Sequence, residues 1–275
     1  MRRRGGLADT ASIHTDPDRA RQVIRRARQD FDQRYPGLKF SPVVGLICAY
    51  QEEENIGDVL ANMPGTACGL ALTTLVVVDG GADATDQVAL RAGAVTFVLG
   101  ENLGHGYALR VGYALGIELG AQFVVTLDAD GQNDPTEIPG LLQPLVDDEA
   151  DFVLASRRLG RDTTTDLFRK AGVRFFSLVI SAVGGTWLTD SSNGYRALRA
   201  TMLEDVTHRL SQAQYQTAEL LMVCLKRGWR VVERPTVWLP RSSGTSKKGK
   251  NYLFGLRYAR VVLTTWWRER RSARV

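Results

Sequence analysis

From residue 43 to residue 155 the chain alternates short apolar runs with helix-length stretches of mixed polarity. The runs are Val43–Ala49, Leu75–Asp79, Val95–Leu99, Phe123–Asp128 and Asp151–Ala155. They are short, apolar and rich in β-branched residues, the pattern of strands buried on both faces. Between them, Glu53–Met63, Thr85–Ala92, Gly106–Gly120 and Pro135–Asp147 read as helices, the last with proline near its first turn. This order predicts an α/β fold, a mainly parallel sheet covered by helices on both faces. Ligands of such sheets bind at the carboxyl edge of the strands. The acidic and glycine-rich clusters of this chain fall at that edge.

Composition narrows the chemistry. At 275 residues, 44% hydrophobic and 24% charged, the chain reads as a soluble globular protein with a sizeable core. Cys48, Cys68 and Cys224 are too few and too scattered for a disulfide framework or a zinc site. His14, His105 and His208 do not make a histidine metal centre. A metal here needs oxygen ligands, which points to Mg²⁺ or Mn²⁺.

Charge is unevenly spread. Residues 1–40 hold ten Lys/Arg against five Asp/Glu, residues 241–275 ten against one, and the body between them 15 against 24. Basic ends suit an anionic partner: phosphates, a membrane surface or nucleic acid. A solubilising tail describes residues 1–40 equally well. No apolar segment follows the basic start, and no stretch reaches the ~18 apolar residues of a membrane span. The nearest, 175–188, is broken by Gly184-Gly185 and reads as a buried or interfacial helix. The expected organisation is an N-terminal extension over 1–41 (disordered, then a charged helix over 17–34), a body over 42–240, and a basic loop with an amphipathic helix over 241–275. The expected location is the cytoplasm or the inner face of the membrane.

Three clusters carry chemistry. Asp128-Ala129-Asp130-Gly131-Gln132 follows a buried run. Two carboxylates spaced by one residue repel unless a cation bridges them. With the Gln132 amide oxygen they make a half-site for a hard metal that leaves room for phosphates. A turn with two solvated acids is the competing description. In Cys48-Ala49-Tyr50-Gln51-Glu52-Glu53-Glu54-Asn55-Ile56, glutamates at a helix start explain Glu53 and Glu54. Tyr50 and Glu52 lie in the loop, where a base and ribose are within reach. Asp79-Gly80-Gly81-Ala82-Asp83-Ala84-Thr85 lets backbone approach a ligand closely, and Asp83 or Thr85 also suits a helix cap. Gly104-His105-Gly106 lacks the third glycine of a dinucleotide fingerprint, and 244–251 ends in Asn251 where a phosphate loop needs Ser or Thr.

Together with NLGHGYALRVG (102–112), ASR (155–157), DSSNGYRAL (190–198), ERPTVW (233–238) and RSSGTSK (241–247), these segments resemble family 2 glycosyltransferases of the GT-A fold. The resemblance is strongest to the dolichol- and polyprenol-phosphate sugar synthases. It implies a Rossmann-like nucleotide-diphospho-sugar transferase domain over 42–240. It implies an inverting hexosyltransferase using a GDP- or UDP-sugar, with Ala49, Tyr50, Glu52, Asp79, Gly104, Asp128, Arg241, Ser246 and Lys247 at the donor. Asp128, Asp130 and Gln132 would hold Mg²⁺ or Mn²⁺, and Asp190, Arg157 and Arg196 would serve catalysis. The implied acceptor is a polyprenyl phosphate. A hydroxyl acceptor would need a base, for which Asp190 is the candidate.

The chain departs from the family pattern at Cys48, at Gly80 and at His105, where Pro, Asp and Lys are usual. Two other functions fit parts of the sequence. One is a cytosolic glycosyltransferase acting on a small-molecule hydroxyl. The other is a nucleic-acid-binding module using the basic ends, disfavoured because aromatics are not interleaved with the cations. The C-terminal stretch places Phe254, Tyr258, Val261, Val262, Thr265 and Trp266 on one helical face bordered by arginines, the pattern of a helix on an anionic membrane or of one docked on the protein.

Overall fold

The computed structural model describes residues 16–163, 167–240 and 251–272. Arg241, Ser246, Lys247 and the expected disorder of the first residues lie outside them, as does most of the basic loop.

Helix α1 (Pro17–Arg34) starts where Asp16 accepts a hydrogen bond from the Asp18 amide and Pro17 pre-sets the first turn. Its Ala20, Val23, Ala27 and Phe31 recur at helical spacing and are buried. Phe31 meets Phe97 at 5.5 Å between ring centres, so α1 covers the sheet rather than trailing from it. The strands are β1 (Val43–Ala49), β2 (Thr66–Ala67), β3 (Leu70–Asp79), β4 (Val95–Leu99), β5 (Phe123–Asp128), β6 (Phe152–Asp162), β7 (Arg196–Arg199) and β8 (Val231–Trp238). The helices after α1 are α2 (Ile56–Ala61), α3 (Thr85–Arg91), α4 (His105–Glu118), α5 (Ile138–Val146), α6 (Leu167–Gly184), α7 (Ala200–Val206), α8 (Gln216–Lys226) and α9 (Asn251–Ser272).

One sheet runs β4-β3-β1-β5-β7-β6-β8, with β2 antiparallel on the first half of β3. β4, β3, β1 and β5 are parallel, and so are β6 and β8; β7 is antiparallel between β5 and β6. Side chains alternate across the sheet as strand geometry requires. Val44, Leu46, Leu75, Val77 and Val124 face α1, α4, α7, α8 and α9, while Val43, Ile47, Val76, Val78 and Val125 face α2, α3 and α5.

One expectation needs correction, and the C-terminal strip takes one of its two descriptions. The Glu53–Met63 helix begins only at Ile56. The Glu53 amide donates to Asp83 Oδ2 while Glu53 Oε2 accepts from the Ala84 amide, and the Glu52 amide donates to Thr85 Oγ1. These cross-loop bonds hold the glutamates in a loop and outweigh the helix-dipole preference. The C-terminal strip is a docked face: Tyr258, Val261, Val262 and Thr265 are buried in the core that α9 shares with α8. The Phe254 side chain lies outside the described residues.

The topology fixes the site. From β1 the chain steps outward through β3 and β4, then returns to place β5 on the other side of β1. That reversal opens a crevice at the carboxyl ends of β1 and β5, where Ala49, Tyr50 and Asp128 emerge.

Candidate active site

Asp79 ends β3 with its carboxylate buried. Its Oδ1 accepts from the Leu103 amide at 2.8 Å and Oδ2 from the Gly104 amide at 2.9 Å. Burial raises its pKa from 3.8 to about 6, against the pull of those two N–H donors. Asp79 therefore ties the 102–104 loop, and with it the start of α4, to the sheet edge. Gly80 has φ +69°, and a Cβ there would sit 2.5 Å from the Asn102 nitrogen. No aspartate fits in its place without moving that loop.

Asp128 ends β5 beside Cys48, its partner in the β1 ladder. The Cys48 thiol is pushed up by burial, with the Asp79 and Asp128 charges adding to the effect, so both carboxylates act on this strand end. Asp128 is half-buried, and its amide donates to Asn133 Oδ1 at 2.9 Å. Gly194 lies against it: a Cβ on Gly194 would be 3.2 Å from Asp128 Oδ1. The loop after Asp190 thus closes directly on the strand-end carboxylate.

Asp130 is buried, and its Oδ1 accepts from the Gln132 amide N–H at 3.1 Å. The Gln132 side chain satisfies both of its ends when its nitrogen donates to Asp130 Oδ2 at 3.1 Å and its oxygen accepts from Trp238 Nε1 at 2.9 Å. The amide oxygen expected to ligate a metal then accepts one hydrogen bond from Trp238 and keeps its second lone pair. Gln132 also braces Asp130.

The donor-side residues of the β1 loop lie at the same edge. Ala49 is buried at the end of β1, Tyr50 is half-buried, and Glu52 accepts from Asn55 Nδ2 at 2.7 Å. Gly104 caps α4, against the Ala213 carbonyl.

The residues expected to catalyse separate into two kinds. Arg157 and Asp190 form a buried pair, 5% and 0% exposed. Arg157 Nε donates to Oδ2 at 2.6 Å and Nη2 to Oδ1 at 2.7 Å, while the Arg157 amide donates to Oδ2 at 3.1 Å. Nη2 also donates to Ser192 Oγ, and the guanidinium lies 4.9 Å from the Trp238 ring centre. Asp190 is held from behind by Glu233, which accepts from the Asp190 and Thr189 amides. Both oxygens of Asp190 are engaged, so the structure does not present it as a base. Arg196 is fully buried, and its guanidinium donates to the carbonyls of Asn193, Thr217 and Ser191. It ties the loop to α8 and is not placed to meet a substrate.

Trp238 and Glu233, both within ERPTVW, belong to the site without a separate signal in the sequence. Trp238 joins the metal-side turn, through Gln132, to the Arg157–Asp190 pair.

The model for Glycosyl transferase family 2 matches residues 46–207, which hold Asp79, Asp128, Asp130, Arg157 and Asp190. The chain belongs to that family. It is 31% identical over 162 residues to a UDP-N-acetylglucosamine–dolichyl-phosphate N-acetylglucosaminyltransferase of Methanococcus voltae, matching 57% of this chain and 63% of that protein. It is 29% identical over 206 residues to a dolichyl-phosphate hexose transferase of Haloferax volcanii, matching 75% and 86%. An undecaprenyl-phosphate 4-deoxy-4-formamido-L-arabinose transferase of Salmonella paratyphi B is 27% identical over 229 residues, matching 80% and 66%. These relatives support the dolichol- and polyprenol-phosphate sugar synthase subgroup. Glucosyl-3-phosphoglycerate synthase from Mycobacterium tuberculosis, crystallised with Mn²⁺, UDP and phosphoglyceric acid, superposes with a TM-score of 0.63 at 17% identity, covering 88% of this chain and 81% of that one. That likeness establishes the GT-A-type fold. The family 2 glycosyltransferase is thus a mixed, mostly parallel α/β enzyme.

Proposed function

We propose that this glycosyltransferase moves a hexose from a nucleoside-diphosphate sugar to the phosphate oxygen of a polyprenyl phosphate, with inversion at the anomeric carbon. The observation that carries the acceptor is the closed Arg157–Asp190 pair. A hydroxyl acceptor must lose a proton to a base, and the carboxylate nominated for that task is buried and engaged on both oxygens. A phosphate monoester is already an oxyanion and needs no such base. The relatives named for dolichyl and undecaprenyl phosphate support the same acceptor. UDP is the nucleotide in the name of the Methanococcus relative, so a UDP-sugar is the first donor to test.

In this reading the nucleotide lies over the β1 and β3 ends, beside Tyr50, Glu52 and the 102–104 loop that Asp79 holds. Asp128 and Asp130 fit Mg²⁺ or Mn²⁺. They are hard oxygen donors two residues apart at a strand end, and Asp130 is pre-positioned by Gln132. Among the described residues no three His, Cys, Asp or Glu side chains gather into a full metal shell. An ion bound there would take one or two carboxylates and complete its shell with phosphates and water. When bound, the ion neutralises charge that builds on the departing diphosphate. Arg157 is a positioning residue, holding the Asp190–Gly194 loop against Asp128. Arg241, Ser246 and Lys247 remain assigned to the diphosphate.

The test is transfer of radiolabelled sugar from UDP-glucose or UDP-N-acetylglucosamine to undecaprenyl phosphate, read as label in the organic phase, with and without EDTA. EDTA-sensitive, solvent-extractable label is expected. Label found only in a water-soluble product, with a hydroxyl acceptor present, overturns the lipid acceptor.

A further inference from the structure

β8 ends against both halves of the site. On one side its last residues are tied to the turn that follows β5. The Leu239 amide donates to the Gln132 carbonyl at 3.0 Å, and Glu137 accepts from the Val237 amide at 3.0 Å and from the Thr236 hydroxyl. On the other side the β6–β8 ladder slips between Ser156 and Arg161, so residues 157–160 bulge against β8. A bulge re-aims the side chains it carries. This one carries Arg157, whose guanidinium turns to Asp190 and over the Trp238 ring.

Trp238 stands where these ties meet. It is buried, and its carbonyl accepts from Thr163 Oγ1 at 2.7 Å, which fixes the end of β6 to it. Its side chain has two separable parts. The indole N–H donates to Gln132 Oε1 at 2.9 Å, in the amide orientation that lets Gln132 Nε2 donate to Asp130 Oδ2 at 3.1 Å. A side-chain amide carries its donor and its acceptor on opposite arms. A donor on the Trp238 side therefore turns the oxygen of Gln132 toward the indole and its NH₂ toward Asp130; reversed, the amide would set an oxygen against that carboxylate. The backbone bonds of Leu239 and Val237 fix where the turn lies, and the indole N–H fixes how the Gln132 amide faces. The second part is the ring, 4.9 Å from the Arg157 guanidinium. An aromatic face at that distance attracts a cation.

We propose that Trp238 is a positioning residue for both halves of the reaction: its indole N–H orients Gln132 and Asp130 for the metal and donor, and its ring holds Arg157, and with it the Asp190–Gly194 loop, for transfer. This rests on the metal-dependent reading above and adds the residue that sets the metal-side turn. Partners that orient metal-holding side chains govern affinity strongly, their loss costing about 10–100-fold. The two parts of the side chain have separable consequences. Loss of the N–H weakens the metal and leaves transfer intact once the metal is saturating. Loss of the ring slows transfer even then. Phenylalanine removes the first and keeps the second; leucine removes both.

The experiment is calorimetric titration of the full chain with Mn²⁺ at saturating UDP, and with UDP in EDTA, alongside kcat for transfer to undecaprenyl phosphate. The variants are Trp238→Phe, Trp238→Leu, Gln132→Ala and Trp238→Phe/Gln132→Ala. Trp238→Phe should weaken Mn²⁺ about tenfold. It should leave UDP affinity in EDTA, and kcat at saturating Mn²⁺ and donor, within about twofold of the parent. In the Gln132→Ala background the same change should have no further effect on Mn²⁺, because the N–H acts through that amide. Trp238→Leu should also lower kcat about tenfold at saturating Mn²⁺. Thermal unfolding checks each variant, and Trp238→Met replaces Trp238→Leu if the latter does not fold. Equal Mn²⁺ affinity of Trp238→Phe and the parent overturns the role of the N–H. So does a parallel loss of UDP affinity with and without Mn²⁺, which marks a loosened fold, and so does a full further loss in the Gln132→Ala background. An undiminished kcat in the ring-less variant overturns the role of the ring. The parent alone tests the reading beneath: if it binds UDP equally in Mn²⁺ and in EDTA, the metal falls and the role of the N–H with it, whereas a metal-dependent parent with an unaffected Trp238→Phe sinks the positioning role and leaves the metal standing.

Discussion

Replacing Asp190 by alanine asks whether the Arg157–Asp190 pair is scaffold or catalyst. Arg157 is 5% exposed, and Asp190 supplies both oxygens that meet its guanidinium, at 2.6 and 2.7 Å. Without Asp190, the cation keeps the Ser192 hydroxyl, the Trp238 ring and the weaker pull of the Asp162 and Asp128 charges. An uncompensated buried charge costs ~3–5 kcal/mol, against a total domain stability of ~5–15 kcal/mol. For a chain of this size that lowers the melting temperature by about 10 °C. The pair's attraction is offset by its own desolvation, so Arg157→Met/Asp190→Leu should recover most of the loss. The assay is urea unfolding of the parent, both single variants and the double, with UDP affinity measured by calorimetry on each. Asp190→Ala should lower stability by ~3 kcal/mol or more, and the double variant by far less. A loss under ~1 kcal/mol for Asp190→Ala would refute the closed pair and return Asp190 as a base for a hydroxyl acceptor. If the double variant is stable but inactive, Arg157 positions the loop for transfer; if it is active, the pair is packing alone.

Three further outcomes follow from the site. Asp130→Ala should abolish metal-dependent UDP binding and transfer while the protein stays folded; full activity of this variant, or of the parent in EDTA, removes the metal role. Asp79 is held near pKa 6 by burial, so the native protein keeps a proton that the unfolded chain, at the ordinary 3.8, has lost. That group therefore favours the folded state below about pH 4, and up to ~3 kcal/mol of this is lost as pH rises through 6. UDP affinity should run the other way, falling as pH drops through 6 and protonation takes an acceptor from the Leu103 or Gly104 amide; affinity that is flat across that range contradicts this. Gly194→Ala puts a methyl 3.2 Å from Asp128 Oδ1 and should cut turnover about tenfold at a stability cost of ~1 kcal/mol, read by steady-state kinetics beside thermal unfolding.

The parts of this molecule legible in its sequence are those where one physical rule acts locally. β1, β4 and β5 carry the bounds read from their apolar runs, because strands buried on both faces admit little else. The acids closing β3 and β5 are likewise visible, as a carboxylate after a buried run has only the strand end to occupy. β7 escaped notice because Arg196-Ala197-Leu198-Arg199 is four residues long and begins with a cation. Its burial depends on carbonyls of Ser191, Asn193 and Thr217, which no pattern in the strand itself announces. The same limit applies to the site. Arg157 and Asp190 each look like a substrate contact when read alone, and 33 residues separate them in the chain. Only the fold shows that each consumes the other's charge.

This mutual consumption also fits the acceptor proposed above. Asp190 is neutralised by Arg157, and Asp128 and Asp130 stand together at the end of β5, Asp130 braced by Gln132. Two acids at one strand end suit a metal and a phosphate-bearing donor. An acceptor that arrives already ionised then leaves no proton for the protein to remove. A hydroxyl acceptor would demand the opposite: an open carboxylate at residue 190.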